Sequence, residues 1–419
     1  MYALAERLYP ICRSITGEGV RETLRILQEY APISIHEVPT GTQVFDWEVP
    51  KEWNISQAWI KNSAGEKVVD FMDHSLHVLS YSIPIHKILP LSQLRDHLYS
   101  LPDQPDLIPY RTSYYQSNWG FCLSHRQLEA LEDGDYEVCI SSSLEAGSLT
   151  YAEYLLPGRS KDEFIFSTHV CHPSLANDNL SGVVMLIHLL RKLQHQDLRY
   201  SYRFLFVPGT IGSICWLAQN ADKLATIKGG LIASLLGDGG KFHYKLSRHE
   251  DSIIDKVAQF VLTEMEVDHE VIPFSPYGYD ERQYGSPGIN LAVGSLTRST
   301  FGSFPQYHTS ADNLDFIQPR HLAQSYQLYS AVVDLLELNR TYVNLSPMGE
   351  PQLGRRGLYD AIGGASDQKA MQMAILWVLN MSDGTHDAID VAHKSNLPSS
   401  LIVKVCALLL DKGLLRESD

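Results

Sequence analysis

The spacing of apolar residues changes character along the chain, and each change predicts a different kind of structure. Near the start, Val20, Leu24, Ile26 and Leu27 recur at helical spacing, with Ser14 or Thr16 placed to cap the helix. From about 37 to 147 the pattern breaks into short runs, Val44-Phe45-Asp46-Trp47, Ala58-Trp59-Ile60 and Tyr136-Glu137-Val138-Cys139-Ile140. These are rich in β-branched and aromatic residues and are separated by prolines and turn pairs, which predicts a small β-rich module. Pro102, Pro105 and Pro109 mark a loop within it. From about 148, runs ending near Ser167, Val207, Ser234 and Val293 read as buried strands. They alternate with helical patterns at about 180–193, 213–223, 253–265 and 320–338, which predicts an α/β sheet flanked by helices.

The final stretch predicts three short helices. A turn at Ser395-Asn396-Leu397-Pro398 precedes the third, whose apolar face carries Leu401, Ile402, Val405, Leu408 and Leu409. That order resembles a winged-helix or helix-turn-helix unit. Residues 1–36 are too short to fold alone and are expected to pack on the α/β unit. The predicted organisation is therefore an α/β domain from 1–36 and 148–342, an inserted β-rich domain at 37–147, and a winged-helix-like domain at 343–419.

Composition narrows the function classes. The chain has 419 residues, 44% apolar and 20% charged, the profile of a globular protein of more than one domain. With 34 basic and 49 acidic residues its formal charge is −15, which disfavours nucleic acid and anionic membrane as partners. The six cysteines are scattered with no C-x-x-C pair, so a reducing cytoplasm is expected rather than a disulfide framework. Neither a signal peptide nor a membrane span is expected, because the N-terminal stretch is mixed and amphipathic and no long apolar run occurs.

The segment from Ser167 to Gly182 carries the most chemistry. His169 and His172 follow a buried strand at once, and Asp178 stands where the next helix begins. In open α/β sheets ligands bind beyond the carboxyl ends of strands, and imidazole with carboxylate suits zinc or a similar divalent ion. The competing reading makes the histidines ordinary loop residues and Asp178 or Asn179 a helix cap. A second segment, Tyr307-His308-Thr309-Ser310-Ala311-Asp312, puts His308 in a turn, with Asp312 able to orient its ring or cap a helix.

Together the two segments resemble the zinc aminopeptidase type, which includes the glutaminyl cyclases. In that family a strand ends in a metal-binding histidine, an Asn-Asp-Asn-x-x-Gly segment supplies an aspartate ligand, and a Tyr-His-Thr-x-x-Asp segment supplies another histidine. The resemblance implies that His169, Asp178 and His308 are metal ligands, and it covers roughly 148–340 plus the N-terminal helix. Three phrases resemble a narrower bacterial group with an inserted β-domain and a C-terminal winged helix. They are Arg13-Ser14-Ile15-Thr16-Gly17-Glu18-Gly19-Val20-Arg21, His169-Val170-Cys171-His172-Pro173-Ser174 and Gly278-Tyr279-Asp280-Glu281-Arg282. Members of that group are associated with surface-polysaccharide and secondary-metabolite gene clusters.

The chain also departs from the family. Where aminopeptidases carry a Glu-Glu pair it reads Val207-Pro208-Gly209-Thr210-Ile211-Gly212-Ser213, and Ser234 stands where another aspartate belongs, with Asp238 four residues on. One zinc ion, held by His169 or His172 with Asp178 and His308, is therefore expected rather than two. Another general base is then required. Asp280 or Glu281 is the candidate base or extra ligand, and Arg282 is placed to hold a substrate carboxylate or phosphate. The bland reading of that triplet is a solvated loop with an internal ion pair. Tyr307 and Asp238 are weaker candidates for the pocket, and Cys171, able in principle to ligate metal, reads more readily as a buried structural thiol.

The leading expectation is a zinc-dependent, aminopeptidase-like hydrolase acting on an amide bond of a small peptide or amino-acid conjugate. A rival is a non-catalytic pseudo-enzyme that keeps the pocket. A winged-helix regulator comes third, because the last helix offers only Lys404 and Lys412 against surrounding acids. The inserted module is a candidate gate, partner surface or dimer contact.

Overall fold

Strand Glu163–His169 is buried at every position, as expected of a strand covered on both faces of its sheet, with Phe164, Ile165 and Phe166 its unalternated apolar centre. The structure, a computed structural model, describes residues 1–358 and 365–418. Its strands of three or more residues are β1 (Ser34–Pro39), β2 (Glu52–Lys61), β3 (Lys67–Asp70), β4 (Ile85–Pro90), β5 (Asp135–Glu145), β6 (Ser148–Leu156), β7 (Glu163–His169), β8 (Ser201–Val207), β9 (Ile227–Ala233), β10 (Phe242–Lys245), β11 (His269–Ile272), β12 (Val293–Thr297), β13 (Thr341–Asn344), β14 (Asp383–Asp387) and β15 (Leu415–Glu417). The helices that matter below are α1 (Tyr2–Leu8), α2 (Glu18–Gln28), α3 (Ser181–Leu193), α4 (Ile211–Gln219), α5 (Ile253–Glu264), α6 (Glu281–Tyr284), α7 (Pro319–Leu338), α8 (Ala365–Met381), α9 (Ala388–Ser395) and α10 (Ser399–Asp411).

The chain divides into two compact units, one of Met1–Asp255 with Asp268–Tyr329 and one of Lys256–Val267 with Ser330–Asp419. The first holds an eight-stranded sheet in the order β1-β6-β8-β7-β9-β12-β10-β11. Its centre, β8-β7-β9-β12, is parallel, and β1, β6 and β8 pair antiparallel at one side. The parallel centre puts the ends of β7 and β8 side by side, His169 opposite Val207. This is the α/β sheet flanked by helices that the sequence predicts.

A separate four-stranded antiparallel sheet, β3-β2-β5-β4, comes wholly from residues 52–145. Ala58, Ile60, Val138 and Ile140 are buried on it. The second unit has a three-stranded sheet, β14-β13-β15. Ala374, Val378, Ile402, Val405 and Leu409 pack α8 and α10 into one core, giving the predicted winged helix. Among the described residues no helix is long and apolar enough to cross a membrane.

Some local expectations change. Neither Ser14 nor Thr16 caps α2; the cap position is Gly17, at φ 98°. The two hydroxyls are taken by the β-rich segment instead, Ser14 by Ser80 at 2.8 Å and Thr16 by Tyr81 at 2.6 Å. Gly17 is required there, since a Cβ would sit 2.1 Å from the Trp53 carbonyl oxygen. The strand expected at 290–293 begins at Val293, because Asn290 turns the chain with φ 55°. The run Val44 to Trp47 is a hairpin rather than one strand, turning at Phe45 with φ 54°.

Candidate metal centre

The site grows from the end of β7. His169 is its last residue, and Val170 stays in register by donating its N–H to the Val207 carbonyl at 2.9 Å. The chain then loops through Cys171 and His172 into the tight turn Ala176–Leu180 before α3 begins. Every residue of that turn is buried, so its polar groups must find partners inside the protein.

They do so in pairs. Asn177 donates its amide to Asp238 Oδ2 at 2.7 Å and accepts the Gly237 N–H at 2.8 Å. Asn179 donates to Thr168 Oγ1 at 2.7 Å, and Thr168 donates onward to the Ala233 carbonyl at 2.8 Å. Asp312 accepts the backbone N–H groups of Asn177 at 2.6 Å and Asp178 at 2.9 Å. Its carboxylate therefore fixes the turn, and neither orients the His308 ring nor caps a helix. Burial pushes the Asp312 carboxyl up to about 8.

This frame leaves the Asp178 side chain free to face histidines, and it caps nothing. His169 Nε2 lies 2.7 Å from Asp178 Oδ1, and His308 Nε2 lies 3.1 Å from Oδ2. His172 Nδ1 is 3.9 Å from Oδ1 and has no hydrogen-bond partner among the described residues, although it is buried. The ligand atoms of His169, His172 and Asp178 all lie within 4.8 Å of one another. The structure thus brings together all the predicted ligands, His169, His172, Asp178 and His308, around one carboxylate.

The electrostatics suit a cation. Burial works against the charge on Asp178, but the surrounding imidazoles hold its carboxyl well below the usual range. Burial pushes His172 down to about 3, so it is a neutral imidazole with a free lone pair. An orphaned, buried nitrogen beside an ionised carboxylate and two further imidazoles fits a zinc-like ion in both donor type and number.

Aromatic rings wall the cluster. Tyr279 stacks over His169 at 4.9 Å and points its hydroxyl at Asp178 Oδ1, 3.4 Å away. Tyr307 stacks on His308 at 3.9 Å. Tyr110, from the β-rich segment, meets both His172 and His308 edge to face, 5.1 Å from each. Arg13, only 1% exposed, donates from Nε to the His172 carbonyl at 3.0 Å and so secures that loop from behind. Tyr110 escapes a reading of the sequence because it stands in a proline-dotted loop nearly 200 positions from His308 (308 − 110 = 198). Arg13 and Tyr279 do lie in phrases that mark the family resemblance.

The charged triplet Asp280-Glu281-Arg282 is not a solvated loop. Asp280 is 4% exposed and Glu281 is fully buried. Asp280 occupies the cap position of α6 without using its side chain there. Its carboxyl lies within electrostatic reach of His169, while the Ser213 hydroxyl at the start of α4 donates to the Thr210 carbonyl at 2.7 Å. Burial pushes it up to about 6. Glu281 pairs with Lys245 at 2.8 Å, and Lys245 also donates to the Tyr277 carbonyl at 2.6 Å. Arg282 is half-buried, with an Nε that has no hydrogen-bond partner among the described residues. Asp238 is turned away to Asn177, Ser299 and the Gly240 N–H. Cys171 accepts the Gly209 N–H at 3.3 Å, and burial pushes its thiol up to about 12.

Residues 2–339 match the family described as a domain of unknown function (DUF4910), and residues 340–417 match a winged helix-turn-helix family. A Clostridium acetobutylicum protein, provisionally named a polysaccharide biosynthesis protein with aminopeptidase-like domain, is 52% identical over 397 residues, 95% of this chain and 91% of that one. A crystal structure from Clostridium acetobutylicum, provisionally called a peptidase, superposes with a TM-score of 0.94 at 50% identity, covering 99% of this chain and 95% of that one. A zinc aminopeptidase from Bacillus subtilis superposes with a TM-score of 0.58 at 11% identity, over 79% of this chain and 93% of its own, which is a likeness of fold.

Proposed function

Since the chain belongs to the DUF4910 family and carries a C-terminal winged helix, we propose that it is a metal-dependent, aminopeptidase-like hydrolase acting on an amide bond of a small peptide or amino-acid conjugate. The observation that carries this reading is the convergence of His169, His172 and His308 on buried Asp178, with His172 Nδ1 lacking a hydrogen-bond partner among the described residues. These residues would hold one zinc ion. Bound there, zinc would supply Lewis acidity, polarising an amide carbonyl and making water a better nucleophile.

The chain's own groups do the rest. Asp280, buried and within electrostatic reach of His169, takes up the attacking water's proton at its carboxylate and replaces the carboxylate absent from Val207 to Ser213. Glu281 holds the Tyr277 to Asp280 loop through Lys245. Arg282 offers a charged donor to a substrate carboxylate or phosphate beside Asp280. Six free cysteines favour a cytoplasmic site of action. The provisional name of the Clostridium relative favours a role in polysaccharide biosynthesis. We read three domains, 1–36 with 148–342, 37–147, and 343–419. In support, β1 and β6 are neighbours in the large sheet, whereas the four-stranded sheet draws only on 52–145.

The test is the metal content of protein purified without added metal, for wild type and for His308→Ala, followed by a chelator-controlled screen of amide substrates. The expected result is near-stoichiometric zinc in wild type, most of it lost in His308→Ala, with turnover abolished by chelator and restored by zinc. Absence of metal in both proteins, even after reconstitution, would sink the hydrolase. Bound metal with no turnover across the panel would favour the pseudo-enzyme, which the missing Glu-Glu pair already supports.

A further inference from the structure

Tyr110 belongs to the β-rich segment, yet it sits against two of the histidines of the candidate metal centre. Its ring meets His172 at 5.1 Å and 77°, and His308 at 5.1 Å and 85°. The two imidazoles are 5.4 Å apart, centre to centre. The phenol is thus wedged against both, and its own position is fixed. Its hydroxyl bonds Tyr114 at 2.9 Å, and its ring packs with Leu76 and Leu175 in a small buried cluster.

The backbone around Tyr110 is equally committed. Pro109 and Thr309 form an antiparallel bridge. The Tyr110 N–H donates to the His308 carbonyl at 2.8 Å, and the Ser310 N–H donates to the Ile108 carbonyl at 2.9 Å. Ile108 N–H donates to Ser310 Oγ at 3.0 Å. Between these bonds His308 holds φ 54°, a left-handed conformation that a histidine keeps only where its surroundings over-determine it. The loop from 108 to 110 supplies that constraint.

On the reading that these histidines hold a metal, we propose that Tyr110 and the 108–110 strap are positioning elements of the centre. They hold the rings of His172 and His308 in place relative to one another, 5.4 Å apart, so that both would be preset to receive one small ion. The inserted segment then has a definite task, since it braces the ligands of a site, all of which lie outside it. An ion of zinc's size accepts imidazole nitrogens only at about 2.0–2.1 Å. A ring free to swing costs the site both affinity and selectivity, as other supports of ligating histidines do.

The experiment is calorimetric titration of chelator-stripped full-length protein with zinc and with cobalt, for wild type, Tyr110→Phe and Tyr110→Leu. Melting curves and the ring resonances of isotope-labelled histidines are recorded on the same samples. Tyr110→Phe keeps the wedge and is expected to bind within about threefold of wild type. Tyr110→Leu is expected to lose about tenfold to a hundredfold in affinity, the range typical of lost ligand support, while remaining folded. Its His172 and His308 resonances should broaden or split before any metal is added.

Wild-type affinity in Tyr110→Leu would overturn the proposal and leave the metal reading intact. If wild type binds no metal, the metal reading fails on its own. The ring resonances then decide, since unchanged His172 and His308 signals in Tyr110→Leu would overturn the positioning role as well. Should Tyr110→Leu not fold, Ser310→Ala weakens the strap without touching the ring, by removing the acceptor of the Ile108 N–H, one of its three hydrogen bonds. Unchanged zinc affinity and unchanged His308 resonances in that variant would count against the strap.

Discussion

At the scale of single residues, Asp280 combines burial with proximity to the proposed metal site, and the two give it opposed signatures. An ordinary aspartate titrates near 3.8, whereas burial raises Asp280 to about 6. A folded-state pKa above the unfolded one means that the native protein binds the proton more tightly. Stability is therefore lost as pH rises from about 4 through about 6, and the ionised form that the proposed base role requires is carried at a cost. Asp280→Asn should remove that cost. Urea melts at pH 8 should show the variant more stable by about 1–3 kcal/mol, with little difference at pH 4. Amide hydrolysis should fall by roughly 10²–10⁴-fold, as for loss of a general base, while zinc content is retained. In wild type the rate should rise with pH through an acid limb at or below about 6, since a bound dication nearby can only lower the value further. An asparagine variant that is less stable at pH 8, or fully active, would remove Asp280 from this role. His169, Asp178 and His308 were legible because local phrases announce them. Tyr110 was not, because its task is set by a contact across nearly 200 positions (308 − 110 = 198).

At the scale of elements, strand–helix alternation was readable wherever a fully buried strand met a helix with one apolar face. Thus β7, β8, β9, α3 and α7 fall close to where periodicity puts them. What periodicity cannot carry is which elements pair at long range. β2 lies against β5, with Glu52 opposite Glu145, and β1 leads to β6 across the whole inserted segment. The phrase from Arg13 to Arg21 turns out to be the tie among these pieces. Arg21 on α2 grips both oxygens of Glu52 on β2, at 2.8 and 2.5 Å. Glu52 also accepts the Ser148 N–H at 2.9 Å at the start of β6. With Arg21 the largest cause, the Glu52 carboxyl falls to about 2 from its usual 4.5. A depressed pKa contributes stability that is complete above about 4.5 and drains away as pH falls toward 2. Glu52→Gln should therefore cost about 1–3 kcal/mol at pH 7, read by urea denaturation. The gap from wild type should start to close below pH 4.5 and be less than half as large by pH 3. A gap independent of pH would mean that Glu52 acts by packing, not by charge.

At the scale of the whole molecule, the winged helix raises the question of what the second unit is for. The fold alone does not answer it, because a winged helix binds DNA only when its recognition helix offers cations to phosphates and donors to base edges. In α10, Ile402, Val405, Cys406 and Leu409 are spent on the core, and Lys404 is exposed. α9 opens with Asp387 and Asp390 in a mutual capping box, so acidic rather than basic side chains stand at its first turn. Lys256 pairs with both aspartates, at 2.7 and 2.6 Å, and is not free for a phosphate. With a formal charge of −15 on the full chain, counterion release has little to draw on. Full-length protein titrated into labelled duplex DNA at low and at physiological salt should therefore show binding weaker than about 10⁻⁴ M, the soft edge of non-specific association. The expected outcome is no anisotropy change at either salt concentration. A steep loss of binding between the two would reverse the argument, since only a cluster of phosphate contacts produces such a slope. The winged helix would then have to be read as a DNA-binding module despite its charge.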